Sequence, residues 1–185
     1  MAGSLCNSLS SMLLLIIVNR ISGESRGGFF ALAYSTAQLL FSVGGFEIRP
    51  VQSTDIKNKF TFDQYFTSRM LNCIIMLICM IGYIVVNGYT GVEALTVFWI
   101  LGYRMVEAVA DVYSGLFQQR ERIDISGKEM LMRSGISTIT FTIILWLTDN
   151  LLYAAMTLTL TSLVIMLFYD LHMKKYFEPT PVHLE

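Results

Sequence analysis

The chain has 185 residues, of which 54% are hydrophobic and only 15% charged, with a net charge of -1. A soluble domain carries roughly 25% charged residues, so this composition points to a membrane protein. It also offers no basic field of the kind nucleic acid requires.

Taken in chain order, six stretches read as bilayer-crossing helices, each close to the roughly 20 mainly apolar residues that a hydrocarbon core demands. They cover about 3–21, 27–46, 70–86, 92–118, 134–149 and 151–169. Residues 1–171 are expected to form one six-helix unit and residues 172–185 a short polar tail. The first stretch starts near Met1 but has no positive leader region and no small-residue cleavage site, so it reads as a span rather than a signal peptide. "NGYTG" between the third and fourth spans, and "DN" between the fifth and sixth, are tight turns. Only three prolines occur, at Pro50, Pro179 and Pro181, which leaves the spans free to be helical.

Lysine and arginine assign the sides of the membrane. Arg49, Lys57, Lys59, Arg69, Arg120, Arg122, Lys128, Arg133, Lys174 and Lys175 fall on one side, and only Arg20 and Arg26 on the other. Both termini are therefore expected to be cytoplasmic. The first connecting segment on that side opens with the cap residues Ser53, Thr54 and Asp55. It then interleaves Phe60, Phe62, Tyr65 and Phe66 with charge, as an interfacial helix would. Residues 119–133 read the same way, and for both segments the alternative is a solvated loop that follows the charge bias.

The three cysteines, Cys6, Cys73 and Cys79, lie in apolar runs without Cys-x-x-Cys spacing, and His172 and His183 lie in the tail. This supplies neither a metal-ligand set nor a histidine-based triad, so no metal, cofactor or hydrolytic enzyme is expected. The paired glycines Gly27–Gly28 and Gly44–Gly45 argue for close helix packing, since no strand precedes them as a phosphate loop would need.

The fourth span carries the chemistry. With 3.6 residues per turn, Arg104, Glu107, Asp111, Gly115, Gln118 and Arg122 fall within a stripe about 80° wide. An ionised side chain at mid-bilayer costs at least roughly 2.5–3.5 kcal/mol, so the stripe must face other helices or a wet cavity. Arg104 and Glu107 can pair at i, i+3. Glu107 and Asp111, at i, i+4, set two negative charges together unless one binds a proton or cation. The stripe can therefore either staple helices or line a substrate or ion pathway.

The residues also carry a resemblance. "NRISGESRGGFFALAYSTAQLLFSVGGFEIRPVQSTD", "FDQYFTSR" and "YRMVEA-x-x-DVYSGLFQQ-x-x-R-x-D" resemble bacterial polysaccharide and lipopolysaccharide biosynthesis membrane proteins. These are oligosaccharide flippases of the superfamily that includes the multidrug and toxin extrusion transporters. The resemblance implies an all-α, six-helix lobe that takes part in moving a lipid-linked oligosaccharide across the bacterial cytoplasmic membrane. It implies a partner as well, either a second six-helix lobe of a longer chain or a second copy. On this view Arg104, Glu107, Asp111, Gln118 and Arg122 line the pathway, and Arg20, Arg49 and Arg69 attract the pyrophosphate. Alternatives are a cation-coupled exporter of the same superfamily, with Na⁺ or H⁺ on Glu107 and Asp111, and a non-transporting assembly subunit.

Overall fold

The structure is a computed structural model that describes residues 2–45, 48–55, 59–170 and 172–173, with side chains from residue 9 to 42 and again over the later segments. Six α-helices and one π-helical turn occupy the described residues, without a strand: α1 (Ala2–Gly45), α2 (Ile48–Thr54), α3 (Phe62–Val86), α4 (Gly91–Gln119), α5 (Ile123–Thr148) and α6 (Leu151–Ile165), then the π-turn Met166–Asp170.

α1 is two antiparallel arms. Gly23 has φ 83° and ψ 170°, a region essentially closed to residues with a Cβ, and the chain reverses there. Residues on either side of it meet. The Tyr34 hydroxyl donates to Ser11 Oγ at 2.8 Å, and a Cβ on Gly27 would lie 3.1 Å from Asn19 Cα. The expected boundary between the first two spans therefore narrows to one glycine.

The other two hairpins close by local chemistry. α3 ends at Asn87, and Gly88 follows with φ 67°. At the α5–α6 reversal Asp149 takes a left-handed conformation (φ 45°) and Asn150 Oδ1 accepts from the Leu152 amide at 3.0 Å, capping α6. All three reversals gather at one end of the bundle, where Arg26 pairs with Asp149 at 3.1 Å and Phe29 meets Tyr89 edge-on at 5.5 Å. At the opposite end Gln119 Nε2 donates to the Asp55 carbonyl at 2.7 Å and Phe62 packs on Tyr113 at 5.3 Å.

α4 is the central helix. Fifteen of its twenty-nine residues are buried, against five of twenty-five in α3. Around it Leu14, Val18, Phe30, Met76, Met80, Ile100, Leu101, Phe141, Leu145 and Leu158 form the main apolar cluster. The outer faces are apolar as well. Leu71, Ile74, Ile75 and Ile78 are each more than half exposed along one side of α3, the i, i+3, i+4 pattern of a helix with an apolar outward face. Phe62–Val86, Ile123–Thr148 and Leu151–Asp170 are long and apolar enough to cross a membrane. Six such spans were expected. α4 is long enough, but it carries Glu93, Arg104, Glu107 and Asp111 within it.

Three further expectations change. α5 starts at Ile123, well before residue 134, because the charges that made 119–133 look like a loop are absorbed into its first turns. The aromatic segment after residue 60 is no separate interfacial helix: Phe62 to Arg69 form the opening turns of α3. Thr61 caps that helix, Oγ1 accepting from the Gln64 amide while Gln64 Oε1 accepts from the Thr61 amide. The short helix at this level is instead α2, with Pro50 in its first turn, where a missing N–H costs nothing. Lys57, Lys174, Lys175, His183 and most of the expected tail lie outside the described residues, as does the side chain of Cys6.

Candidate functional site: a charged seam around α4

Arg104, Glu107 and Asp111 of α4 are answered from α1, α2, α3 and α4 itself. Asp111 sits between two arginines: Arg49 Nη1 of α2 donates to Oδ1 at 2.9 Å and Arg69 Nη2 of α3 donates to Oδ2 at 3.1 Å. Arg49 Nε also donates to Gln118 Oε1 at 3.3 Å. Glu107 and Asp111, set together at i, i+4, each have a guanidinium partner of their own. Glu107 accepts from Arg104 Nη1 one turn back on the same helix. Arg104 in turn lies over the Tyr34 ring at 4.4 Å and near the Tyr103 ring at 5.4 Å, a favourable cation–π placement once water is excluded.

Gly115, the small residue in the stripe, is what lets α2 approach. A Cβ there would lie 2.4 Å from Gln52 Oε1, and Gln52 is completely buried. Arg122 leaves the stripe. α4 stops at Gln119, and Arg122 is the exposed N-cap residue of α5, paired with Asp124 at 2.9 Å through its Nε. That carboxylate raises the Arg122 pKa, chiefly through the hydrogen bond. Arg20 is exposed one turn before the Gly23 reversal, at the opposite end of the bundle from Arg49 and Arg69. The three arginines expected to attract pyrophosphate are therefore not together, and two of them share the carboxylate of Asp111.

Sequence reasoning missed a second charged group. Arg133 and Glu129 of α5, taken for part of a solvated connection, are 4% and 0% exposed, with Nε donating to Oε1 at 2.6 Å. Asp170, just past the end of the expected sixth span, is 0% exposed at the end of the π-turn. The i, i+4 spacing of Glu129 and Arg133 was the available signal; nothing local marked Asp170. Arg69, also taken for a loop charge, is 0% exposed. The seam thus holds four cations (Arg49, Arg69, Arg104, Arg133) against four acids (Glu107, Asp111, Glu129, Asp170), a balance that lowers the cost of burying any one of them.

One stretch of the seam opens outward. Ser11, Leu15, Tyr34, Ser35, Gln38, Leu39 and Arg104 line an open cleft of about 590 Å³ between the arms of α1 and α4. The Arg104 side chain is 2% exposed, and its Nε and Nη2 have no hydrogen-bond partner. A buried guanidinium with two free donors beside a partly polar cleft can receive an acceptor-rich anion.

Comparison with known proteins returns no matching family profile, no similar curated protein and no similar solved structure.

Proposed function

We propose that the chain is a six-span lobe of a membrane transporter of the polysaccharide flippase type, acting on a lipid-linked oligosaccharide. The observation that carries the reading is the Arg104 guanidinium, with two unused N–H groups, at the wall of the open cleft on α1. A pyrophosphate offers several acceptor oxygens and suits a planar donor fork. Exposed Ser35, half-buried Gln38 and the apolar wall of Leu15 and Leu39 suit a ligand with both sugar and polyprenyl parts. Three hairpins that reverse at one end supply the up-and-down path of six spans, in which α1 contributes two. With Arg69 and Arg133 buried, eight of the ten lysines and arginines expected at the far end remain against Arg20 and Arg26. The bias still favours that end as cytoplasmic, in a bacterial inner membrane.

Of the alternatives, a cation-coupled exporter loses its pair of acids, because Asp111 is held between Arg49 and Arg69. A non-transporting subunit is separated by binding. In lipid nanodiscs the full chain should bind a polyprenyl-pyrophosphate oligosaccharide more tightly than the uncharged polyprenol, and Arg104→Gln should weaken that binding roughly tenfold or more. Equal binding of the two lipids, or no effect of the variant, would remove the proposal.

A further inference from the structure

The α5–α6 hairpin sets a register. Thr140 Oγ1 donates to Thr161 Oγ1 at 3.3 Å, and counting outward equally from that pair brings Asp170 to the level of Leu131, between Glu129 and Arg133. Asp170 interacts electrostatically with both. The Glu129–Arg133 pair uses one oxygen and one nitrogen. Glu129 Oε2, Arg133 Nη1 and both carboxylate oxygens of Asp170 are left without hydrogen-bond partners, and the three residues are 0%, 4% and 0% exposed. Asp170 is delivered to this place by the π-turn Met166–Asp170, an uncommon local geometry that recurs at functional sites.

Two acids face one guanidinium here, and an isolated buried carboxylate is strongly disfavoured. The neighbouring elements do not supply the missing charge. From α4, Glu107 and Tyr103 act on Arg133, and Glu107 is already bound to Arg104. From α5, Asp124 lies within reach of Tyr169 beside the turn, and its own partner is Arg122. His172 is exposed two residues further on. A metal cation fits poorly, since the unused Arg133 Nη1 would repel it and no group of three metal-ligating side chains occurs among the described residues.

We infer that Glu129, Asp170 and Arg133 form a proton-binding site, in which one proton is held by the facing carboxyl pair while the guanidinium neutralises the remaining negative charge. Binding forms one carboxyl O–H bond with a proton from solvent hydronium at the α2 end of the bundle, which is left as water, and release is the reverse. The neutral acid gains an O–H donor for the acceptors that lack one. The inference does not depend on the transport reading, because it rests on Glu129, Arg133 and Asp170 and not on Arg104 or its cleft.

Infrared difference spectroscopy of the full chain in lipid bilayers tests it, with aspartate-selective ¹³C labelling to separate aspartic from glutamic acid. At neutral pH the protein should show the carbonyl stretch of a protonated, dry carboxyl group. The band should titrate away as a single proton in alkali and be lost in Asp170→Asn or Glu129→Gln. Absence of the band in the wild type, or its survival in both variants, would overturn the site. Removal of the band by sodium at fixed pH would also overturn it, in favour of a cation. If a variant does not fold, the wild-type titration alone decides.

Discussion

Arg69 of α3 and Asp111 of α4 meet at 3.1 Å with the arginine side chain 1% exposed, and the other oxygen of Asp111 takes Arg49 of α2. One carboxylate thus holds three helices at a single point. Removing a partner from a buried ion pair costs about 3–5 kcal/mol, because a charge is left behind, whereas replacing the pair by apolar residues is often neutral. Asp111→Ala should therefore lower the unfolding free energy in bicelles by about that amount. The double variant Arg69→Met, Asp111→Leu should recover a large part of it. Additive losses in the double-mutant cycle would show that the two residues do not act as a pair.

α2 is held by shape as well as by charge. At Gly115 a Cβ would lie 2.4 Å from Gln52 Oε1 and 2.9 Å from its Cδ. Gly115→Ala must therefore push α2 off α4, an overpacking cost of about 1–3 kcal/mol. The displacement should be read as faster alkylation of a cysteine placed at Ile48, the other buried residue of α2, when Gly115→Ala is added. In the native sequence, Gln52→Ala combined with Gly115→Ala should restore stability, since it removes the colliding atoms. A Gly115→Ala protein as stable as the wild type would contradict this contact.

Outside the bundle, Asp55 organises the connection from α2 to α3. Its carboxylate accepts from the Lys59 amide at 2.9 Å, the Phe60 amide at 3.1 Å and the Tyr65 hydroxyl at 3.1 Å. The Lys59 amide is the main cause that lowers the Asp55 pKa below its ordinary value. A depressed carboxylate pKa means that its contribution is complete above the ordinary carboxylate range and is lost as pH falls through the lowered value. Limited proteolysis of this connection should accelerate in that acid window. Asp55→Asn should cleave faster at neutral pH and lose the dependence.

The sequence made the helices legible in proportion to how simply their charges could be read. α4 and α6 begin within a residue of expectation, because Gly88, Gly91, Asp149 and Asn150 mark the turns chemically. α5 was begun eleven residues late, since Asp124, Lys128, Glu129 and Arg133 look like a wetted loop until two of them are seen paired and buried. The same ambiguity hid Arg69. Local sequence gives spacing along one helix, so it found the i, i+3 pair of Arg104 and Glu107. The partners of Asp111 lie 62 and 42 residues away, and only tertiary packing brings them there. α2 escaped notice for a related reason: seven residues make too short a period to see, and Pro50 was the sole clue.

Arg104 combines both kinds of information, and its variants separate charge from shape. Its guanidinium is bound to Glu107 and stacked over Tyr34 at 4.4 Å while 2% exposed. Lysine keeps the charge but loses the planar fork and the ring stacking, so Arg104→Lys should fold with a loss of up to about 2 kcal/mol. Arg104→Gln leaves Glu107 buried without its cation and should cost more, about 3–5 kcal/mol. Adding Glu107→Gln should return most of that difference, because two amides can hydrogen-bond without charge. Tyr34→Leu removes the ring together with the hydroxyl bonded to Ser11, so it should weaken both backgrounds but the wild type by more, the difference being the stacking, as measured by urea unfolding in bicelles. An equal loss in both backgrounds would mean that Tyr34 packs against the helix without engaging the guanidinium.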